Sequence, residues 1–479
     1  MSIGSIRTRI FNPWFLAGLS GVMLAISIVS WKEGDPDFWW HIADGKWILA
    51  HHSLPYYSPW LFGAALGHHW TLAEYGSEIW MYLAGQTGVI LITAAAFAGV
   101  CALAAYRARL LGSKSAFAIM LAPILVSLIG WAEIAPRDQM ATTLGVAVIA
   151  LICELQLMGR RVHFWMLPPM FLLWVNLHPG FIGGMGLWGL AILVWTIQGV
   201  RSGQAPVDLK RNYLWWGVSF VATLINPYTY HIWIYAIKTL AGGGAAFIQE
   251  WQSPNFHWIS FWPVLILVLA LPVAWPKLSP MAKTWALMMV AAALVSGRNV
   301  ELLGAIMAAP LAVAWTSRLS PSPKKMTTLF AMTSIIAAAF CGITLYTGVH
   351  SRITNKLEPV TLVSHLQRTA PEGARIFPPY AAAGYILYHL PQDKVWLYGD
   401  NALIGAKLMS TYASIDDLAP SWASELRQTN ANLVITSNSE PLQQALLVIP
   451  ACRVLYKGQG WAAFTGTTGG NCPIAPLAH

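Results

Sequence analysis

The sequence predicts a polytopic α-helical membrane protein of about eleven transmembrane helices, N-terminus inside and C-terminus outside, ending in a small extracytoplasmic α/β domain. Three observations predict it. Of 479 residues, 56% are apolar and only 10% charged, against about 25% charged in an average soluble domain. Apolar runs of spanning or near-spanning length recur up to residue 349, and basic residues gather in alternate loops between them. After residue 350 the chain turns to ordinary polarity with alternating patterns. The domains expected are therefore 1–349 in the membrane, with a long first outer loop at 32–87, and 350–479 outside it.

The first run, 13–31, is longer than a signal-peptide core and shows no small-x-small cleavage site, so it reads as an uncleaved helix. Directly behind it stands Glu33-Gly34-Asp35-Pro36-Asp37-Phe38-Trp39-Trp40-His41. Pro36 supplies a bend, and its fixed φ suits the first turn of a new helix. On a helix running to His52, Asp37, His41 and Asp44 share one face. Trp40 and Trp47 share another, so the helix should lie at the bilayer surface with its aromatics down. The loop then carries His51-His52, His68-His69 and a second amphipathic stretch with Glu74 and Glu78. The paired histidines match no structural zinc spacing and read as surface residues.

Further runs fall at 88–106, 115–132, 140–157, 164–177, 181–200, 213–226, 259–275, 283–297, 300–316 and 327–349. With the N-terminus inside, the inner loops hold Arg7, Arg9, Arg107, Arg109, Lys114, Arg160, Arg161, Arg201, Lys210 and Arg211. Lys277, Lys283, Arg318, Lys324 and Lys325 follow on the same side. The outer loops hold only Lys32, Lys46, Arg137, Lys238 and Arg298. This asymmetry sets the orientation. It also accounts for the net charge of +9, so no nucleic-acid partner is inferred.

Acidic residues run the other way. Glu154 and Asp208 are inner, whereas Glu33, Asp35, Asp37, Asp44, Glu74, Glu78, Glu133, Asp138, Glu250 and Glu301 are outer. Orientation rules say little about acids, so this bias points to a polar site on the outer face. Arg137-Asp138-Gln139, Asn176-Leu177-His178, Asn226-Pro227-Tyr228, a flexible Gly242-Gly243-Gly244, Glu250-Trp251 and Arg298 all fall on that face. Arg137 and Asp138 could form an ion pair, or the guanidinium could grip a phosphate. The tail reads as helices at 359–369, 381–390, 416–429 and 440–449. Its strands are expected at 375–377, 395–398, 433–436, 454–456 and 462–465. Tyr398-Gly399-Asp400-Asn401 falls at a strand's C-terminal end, a common ligand position in such sheets, and otherwise reads as a plain turn. Cys101, Cys153 and Cys341 lie in apolar runs, while Cys452 and Cys472 could pair in an oxidising compartment. No Walker A loop, dinucleotide fingerprint or nucleophile elbow occurs, so a nucleotide-sugar or ATP user is not supported.

The long first outer loop opening on acids resembles the GT-C superfamily of integral-membrane glycosyltransferases. The chain is most similar to a bacterial multi-pass family with this layout and an outward C-terminal α/β domain. Asp35-Pro36-Asp37-Phe38-Trp39-Trp40-His41, Arg137-Asp138-Gln139, Asn176-Leu177-His178, Asn226-Pro227-Tyr228, Glu250-Trp251 and Arg298 carry the likeness. Its usual Arg-Pro is replaced here by Arg137-Asp138. The resemblance implies transfer of a sugar from a polyprenyl-phosphate-linked donor at the outer face of a bacterial inner membrane. The acceptor would be a lipid, glycan or protein. It implies Asp35 or Asp37 as the base, with His41 beside them. Arg137, His178 and Arg298 would bind phosphate, and Asn176, Asn226 and Glu74 would bind substrate. A divalent cation, Mg²⁺ or Mn²⁺, could sit on Asp37 with Asp138 or Glu250. The competing readings are a lipid or glycan transporter or flippase, and a non-catalytic envelope-assembly protein.

Overall fold

The structure, a computed structural model, describes residues 12–31, 35–63, 69–112, 115–241, 248–317, 326–351 and 353–477. Glu33, His68 and Gly242-Gly243-Gly244 lie outside these residues. The chain divides into two compact units. The first comprises Met1–Lys32, Gln86–Trp233 and Gln249–His350. The second comprises Glu33–Gly85, Ile234–Ile248 and Ser351–His479.

The first unit is helical. Six helices of the described residues are long and apolar enough to cross a membrane: Tyr75–Leu110, Met140–Leu157, Phe181–Ser202, Ile259–Lys277, Gly297–Thr316 and Thr327–Val349. Pro13–Ile28, Ala116–Ile129, Phe164–Val175 and Pro280–Val295 are shorter apolar helices. The run expected at 213–226 is the helix Leu209–Ala222, 14 residues long. At 1.5 Å per residue it reaches about 21 Å, short of a hydrocarbon core of about 30 Å. Gly85 breaks the longest helix: its φ of 63° ends the segment of the second unit and lets Gln86 open the apolar part.

Small hydroxyl residues let neighbouring helices share backbone acceptors, as apolar surroundings demand. Ser20 Oγ lies 2.7 Å from Ser334 Oγ and donates to Phe330 O at 3.0 Å, joining Pro13–Ile28 to Thr327–Val349. Ser127 Oγ donates to Ala25 O at 2.5 Å. Deeper still, Arg107 is fully buried and is not the loop residue the sequence predicts. Its Nε and Nη2 grip both oxygens of Glu154 at 2.8 and 2.7 Å. Its Nη1 and Nη2 also donate at 2.7 Å to Ala305 O and Ile306 O. Pro310 explains the second of these acceptors. Lacking an N–H, it leaves Ile306 O without its helical donor, and the guanidinium fills the gap.

The second unit is built on a five-stranded sheet: β1 (Arg375–Phe377), β2 (Lys394–Val395), β3 (Leu433–Ser437), β4 (Cys452–Gly458) and β5 (Trp461–Gly466). The order is β2-β1-β3-β5-β4, with β1 parallel to β2 and β3, and β5 antiparallel to β3 and β4. The predicted strands recur, except that 395–398 shrinks to β2. The first outer loop adds a short bridge to that edge. Leu61 pairs with Val395, Val395 N donates to Trp60 O at 2.8 Å, and Phe62 N donates to Val395 O at 3.1 Å. Helices Val360–Thr369, Ala383–His389, Trp422–Gln428 and Pro441–Leu447 recur near their predicted places. One helix was not foreseen: Asn401–Asp416, started by Asp400 Oδ1 accepting from Leu403 N at 3.1 Å. Cys452 and Cys472 form a disulfide with Cα atoms 5.0 Å apart. Closing a loop with a sequence separation of 20 stabilises the fold by about 3 kcal/mol in the chain-entropy model.

Burial raises several carboxyls of this unit above the usual carboxylate range. It pushes Glu358 up to about 8. Burial, helped by Asp416, does the same for Glu440, and burial with Asp417 raises Asp416 to about 6. A raised acid stabilises the fold below its unfolded pKa and loses that contribution as pH rises through the folded value. Melting of the intact protein should therefore fall between pH 6 and pH 9, and Glu358→Gln should flatten part of that fall. Equal melting temperatures at the two pH values would contradict it.

Candidate active site

In the second unit the acidic loop folds on itself. Asp35 Oδ1 accepts from Asp37 N at 3.0 Å, and Asp35 O accepts from Phe38 N at 3.2 Å, so Pro36 sits in a closed turn. The helix Phe38–His51 starts there, with Asp37 at its N-cap position. Asp37 makes no side-chain cap; its Oδ1 accepts from Trp40 Nε1 at 2.9 Å. Trp39 and Trp40 are buried, at 8% and 5% exposure, and for Trp40 this corrects the expectation of a ring lying in the bilayer. Trp40 lies on His41 with centroids 3.6 Å apart, and Trp39 packs edge-on against Tyr385 at 5.1 Å. Gly399 is required by this packing, because a Cβ there would collide with Asp37 Oδ1 and Trp40 Nε1.

One turn on, buried His41 sits between two glutamates. Its Nδ1 is 3.6 Å from Glu78 Oε1 and its Nε2 is 4.0 Å from Glu74 Oε2, ion-pair rather than hydrogen-bond distances. Asp44 follows on the same face, as predicted, and Trp60 Nε1 donates to its Oδ1 at 2.5 Å. Asp400 is held in the same way by Trp70 Nε1 at 2.5 Å. Burial raises both aspartates above the usual carboxylate range, and the charge of Asp400 raises Asp44 further. The Tyr398 hydroxyl, 3.2 Å from Ser58 Oγ, completes the group. Trp60 and Trp70 were not singled out by sequence as site residues, and Tyr398 and Asp400 only as part of a strand-end turn. The turn read at Tyr398-Gly399-Asp400-Asn401 did contain an N-cap aspartate, the one signal available.

In the first unit the two predicted phosphate-binding arginines meet on one anion. Glu250 Oε2 accepts from Arg137 Nη1 at 2.8 Å, and its Oε1 accepts from Arg298 Nη1 at 2.5 Å. Burial works against ionisation of Glu250, but Arg298 and Arg137 outweigh it and hold the pKa at about 2. Arg137 therefore pairs with Glu250, and through Nη2 with Glu133 at 3.4 Å. Burial, reinforced by Glu250 and Glu301 and opposed by Arg137, lifts Glu133 to about 7. Arg298 Nε donates to Gln139 Oε1 at 2.8 Å, and Gln139 Nε2 donates in turn to Glu301. The Arg298 guanidinium also lies 5.2 Å from the Trp251 ring.

His178 and the two asparagines bind the helix ends. His178 Nδ1 accepts from Gly180 N at 3.0 Å and lies 2.8 Å from Thr142 Oγ1, which puts the proton of the neutral ring on Nε2. Asn176 Nδ2 donates to Leu172 O and Ile225 O. Asn226 closes its own turn: Oδ1 accepts from Tyr228 N at 2.8 Å, and Nδ2 donates to Thr223 O and Thr229 O. The metal set needs one correction. Both oxygens of Glu250 are neutralised by guanidinium groups, so it is a poor ligand for Mg²⁺ or Mn²⁺. Asp37 belongs to one unit and Asp138 to the other.

No protein-family model and no curated protein matches this sequence. Solved structures do. The crystal structure of ArnT from Cupriavidus metallidurans bound to undecaprenyl phosphate aligns with a TM-score of 0.54 and 12% identity, covering 99% of this chain and 100% of that one. The same protein in the apo state aligns with a TM-score of 0.52 and 13% identity over the same shares. Over nearly its whole length, then, the chain has the fold of these ArnT structures.

Proposed function

We propose that this protein transfers a sugar from a polyprenyl-phosphate-linked donor to an acceptor at the outer face of the cytoplasmic membrane. In this reading eleven segments cross the membrane, the N-terminus is cytoplasmic and the sheet-bearing tail extracytoplasmic. The disulfide accords with that compartment. The fold supports the donor class, since the ArnT crystal structure holds undecaprenyl phosphate. The observation that carries the proposal is Arg137 and Arg298 closing on a single carboxylate, an arrangement that suits an anion.

Asp37, oriented by Trp40, takes the proton of the acceptor nucleophile. That nucleophile bonds to the anomeric carbon as the bond from carbon to phosphate oxygen breaks. The departing lipid phosphate carries the electron pair away, and its charge calls for cationic partners, the chemistry that Arg137 and Arg298 offer in the first unit. Glu250 competes with that phosphate for both arginines. Binding of undecaprenyl phosphate to purified protein tests this. Arg298→Gln should weaken it by roughly 10- to 100-fold, the loss of one charge-assisted contact, whereas Glu250→Gln should tighten it. If both variants bind like the unaltered protein, the arginines serve folding alone.

A further inference from the structure

A second concentration of arginines lies at the far end of the Met140–Leu157 helix from Arg137. The 18 residues of that helix, at 1.5 Å each, set the two ends about 27 Å apart. Here a cavity of about 360 Å³ opens between the turn after the helix, the turn Phe164–Met166 and the loop entering Leu209–Ala222. Arg160, Arg161 and Arg211 line it, against a single carboxylate, Asp208. Asp208 is engaged in capping, its Oδ1 accepting from the backbone N–H of Arg211 at 3.1 Å. Among the described residues none of the three guanidinium groups is in an ion pair. That of Arg211 lies 4.7 Å from the centre of the Phe164 ring, which anchors one cation at the wall.

Nothing in the transfer reaction uses these groups. Three cations in one concavity raise the local anion concentration, and guanidinium matches phosphate oxygens in geometry. The neighbouring surface is apolar, with Trp165 62% exposed and Met166 55% exposed. Exposed aromatic and apolar side chains beside a basic pocket suit the level of lipid headgroups. We propose that this cavity is a phosphate-binding site separate from the proposed transfer site, and that it takes the headgroup of an anionic membrane lipid. The same chemistry would accept a free phosphate solute. The proposal does not depend on the transferase reading.

The test uses the full chain in phosphatidylcholine nanodiscs doped with phosphatidylglycerol, with bound lipid counted by native mass spectrometry. Phosphatidylglycerol should be retained over phosphatidylcholine, and raising salt should strip it from the unaltered protein. Arg160→Gln, Arg161→Gln and Arg211→Gln should each lower retention roughly fivefold. Arg201→Gln, at the same end but outside the cavity, should not. If inorganic phosphate raises the melting temperature in an arginine-dependent way while no lipid is retained, the source is a free solute and the phosphate site stands. Retention that is insensitive both to salt and to the three arginines, with no phosphate-dependent melting shift, would overturn it.

Discussion

Asp37→Asn should lower sugar transfer by about 10²- to 10⁴-fold, the usual contribution of a general base. That is roughly 3–5.5 kcal/mol of barrier. Asparagine keeps an oxygen for the Trp40 indole, whose 2.9 Å bond to Oδ1 orients the side chain, so the helix start at Phe38 should survive. Melting should therefore stay close to that of the unaltered protein while turnover collapses. Product formation from an undecaprenyl-phosphate-linked sugar, followed by mass spectrometry in inverted and right-side-out membranes, reads both the rate and the face. Trp40→Phe removes the tether and keeps the carboxylate, so it should cost less than Asp37→Asn. A docking protein would tolerate both changes. Transfer by Asp37→Asn within twofold of the unaltered protein would remove Asp37 from the reaction.

Arg107→Ala should be the most damaging change to stability. It strands Glu154 in the interior and takes the donors from Ala305 O and Ile306 O together. Breaking a buried ion pair from one side costs about 3–5 kcal/mol. For a domain of this size that lowers the melting temperature by on the order of 10 °C. Arg107→Met combined with Glu154→Met should recover part of the loss, because no charge is then left alone. The recovery should be incomplete, since Ile306 O, four residues before Pro310, still lacks a donor. A thermal shift assay in detergent separates the cases. Equal melting of the single and double variants would mean the pair contributes little.

The membrane-facing half was legible because apolar runs and basic loops are written locally, residue by residue. The tail strands were legible for the same reason, β1 and β3 from short β-branched and apolar clusters. Arg137, Glu250 and Arg298 could be selected as outer polar residues, yet nothing local says that two of them would close on the third. Arg107 was misread as a loop cation because it ends an apolar run, while one of the carbonyls that hold it is freed by a proline far along the chain. Trp60 and Trp70 carry no local signal in the sequence. Their role as indole donors to Asp44 and Asp400 depends on long-range folding that hydropathy does not record. The Asn401–Asp416 helix was hidden by Gly405, whose φ of 73° interrupts it and dilutes the helical period.

The backbone bridge between Leu61 and Val395 means that β2 is not a bare margin. A C-terminal fragment beginning near Ser351 would be severed from that cover and would offer the N–H and C=O groups of Val395 to any passing chain. Such a truncated product should self-associate when made by itself, and supplying residues 56–62 as a peptide should suppress it. Fusions, tags and crystallisation fragments of this protein are better cut elsewhere.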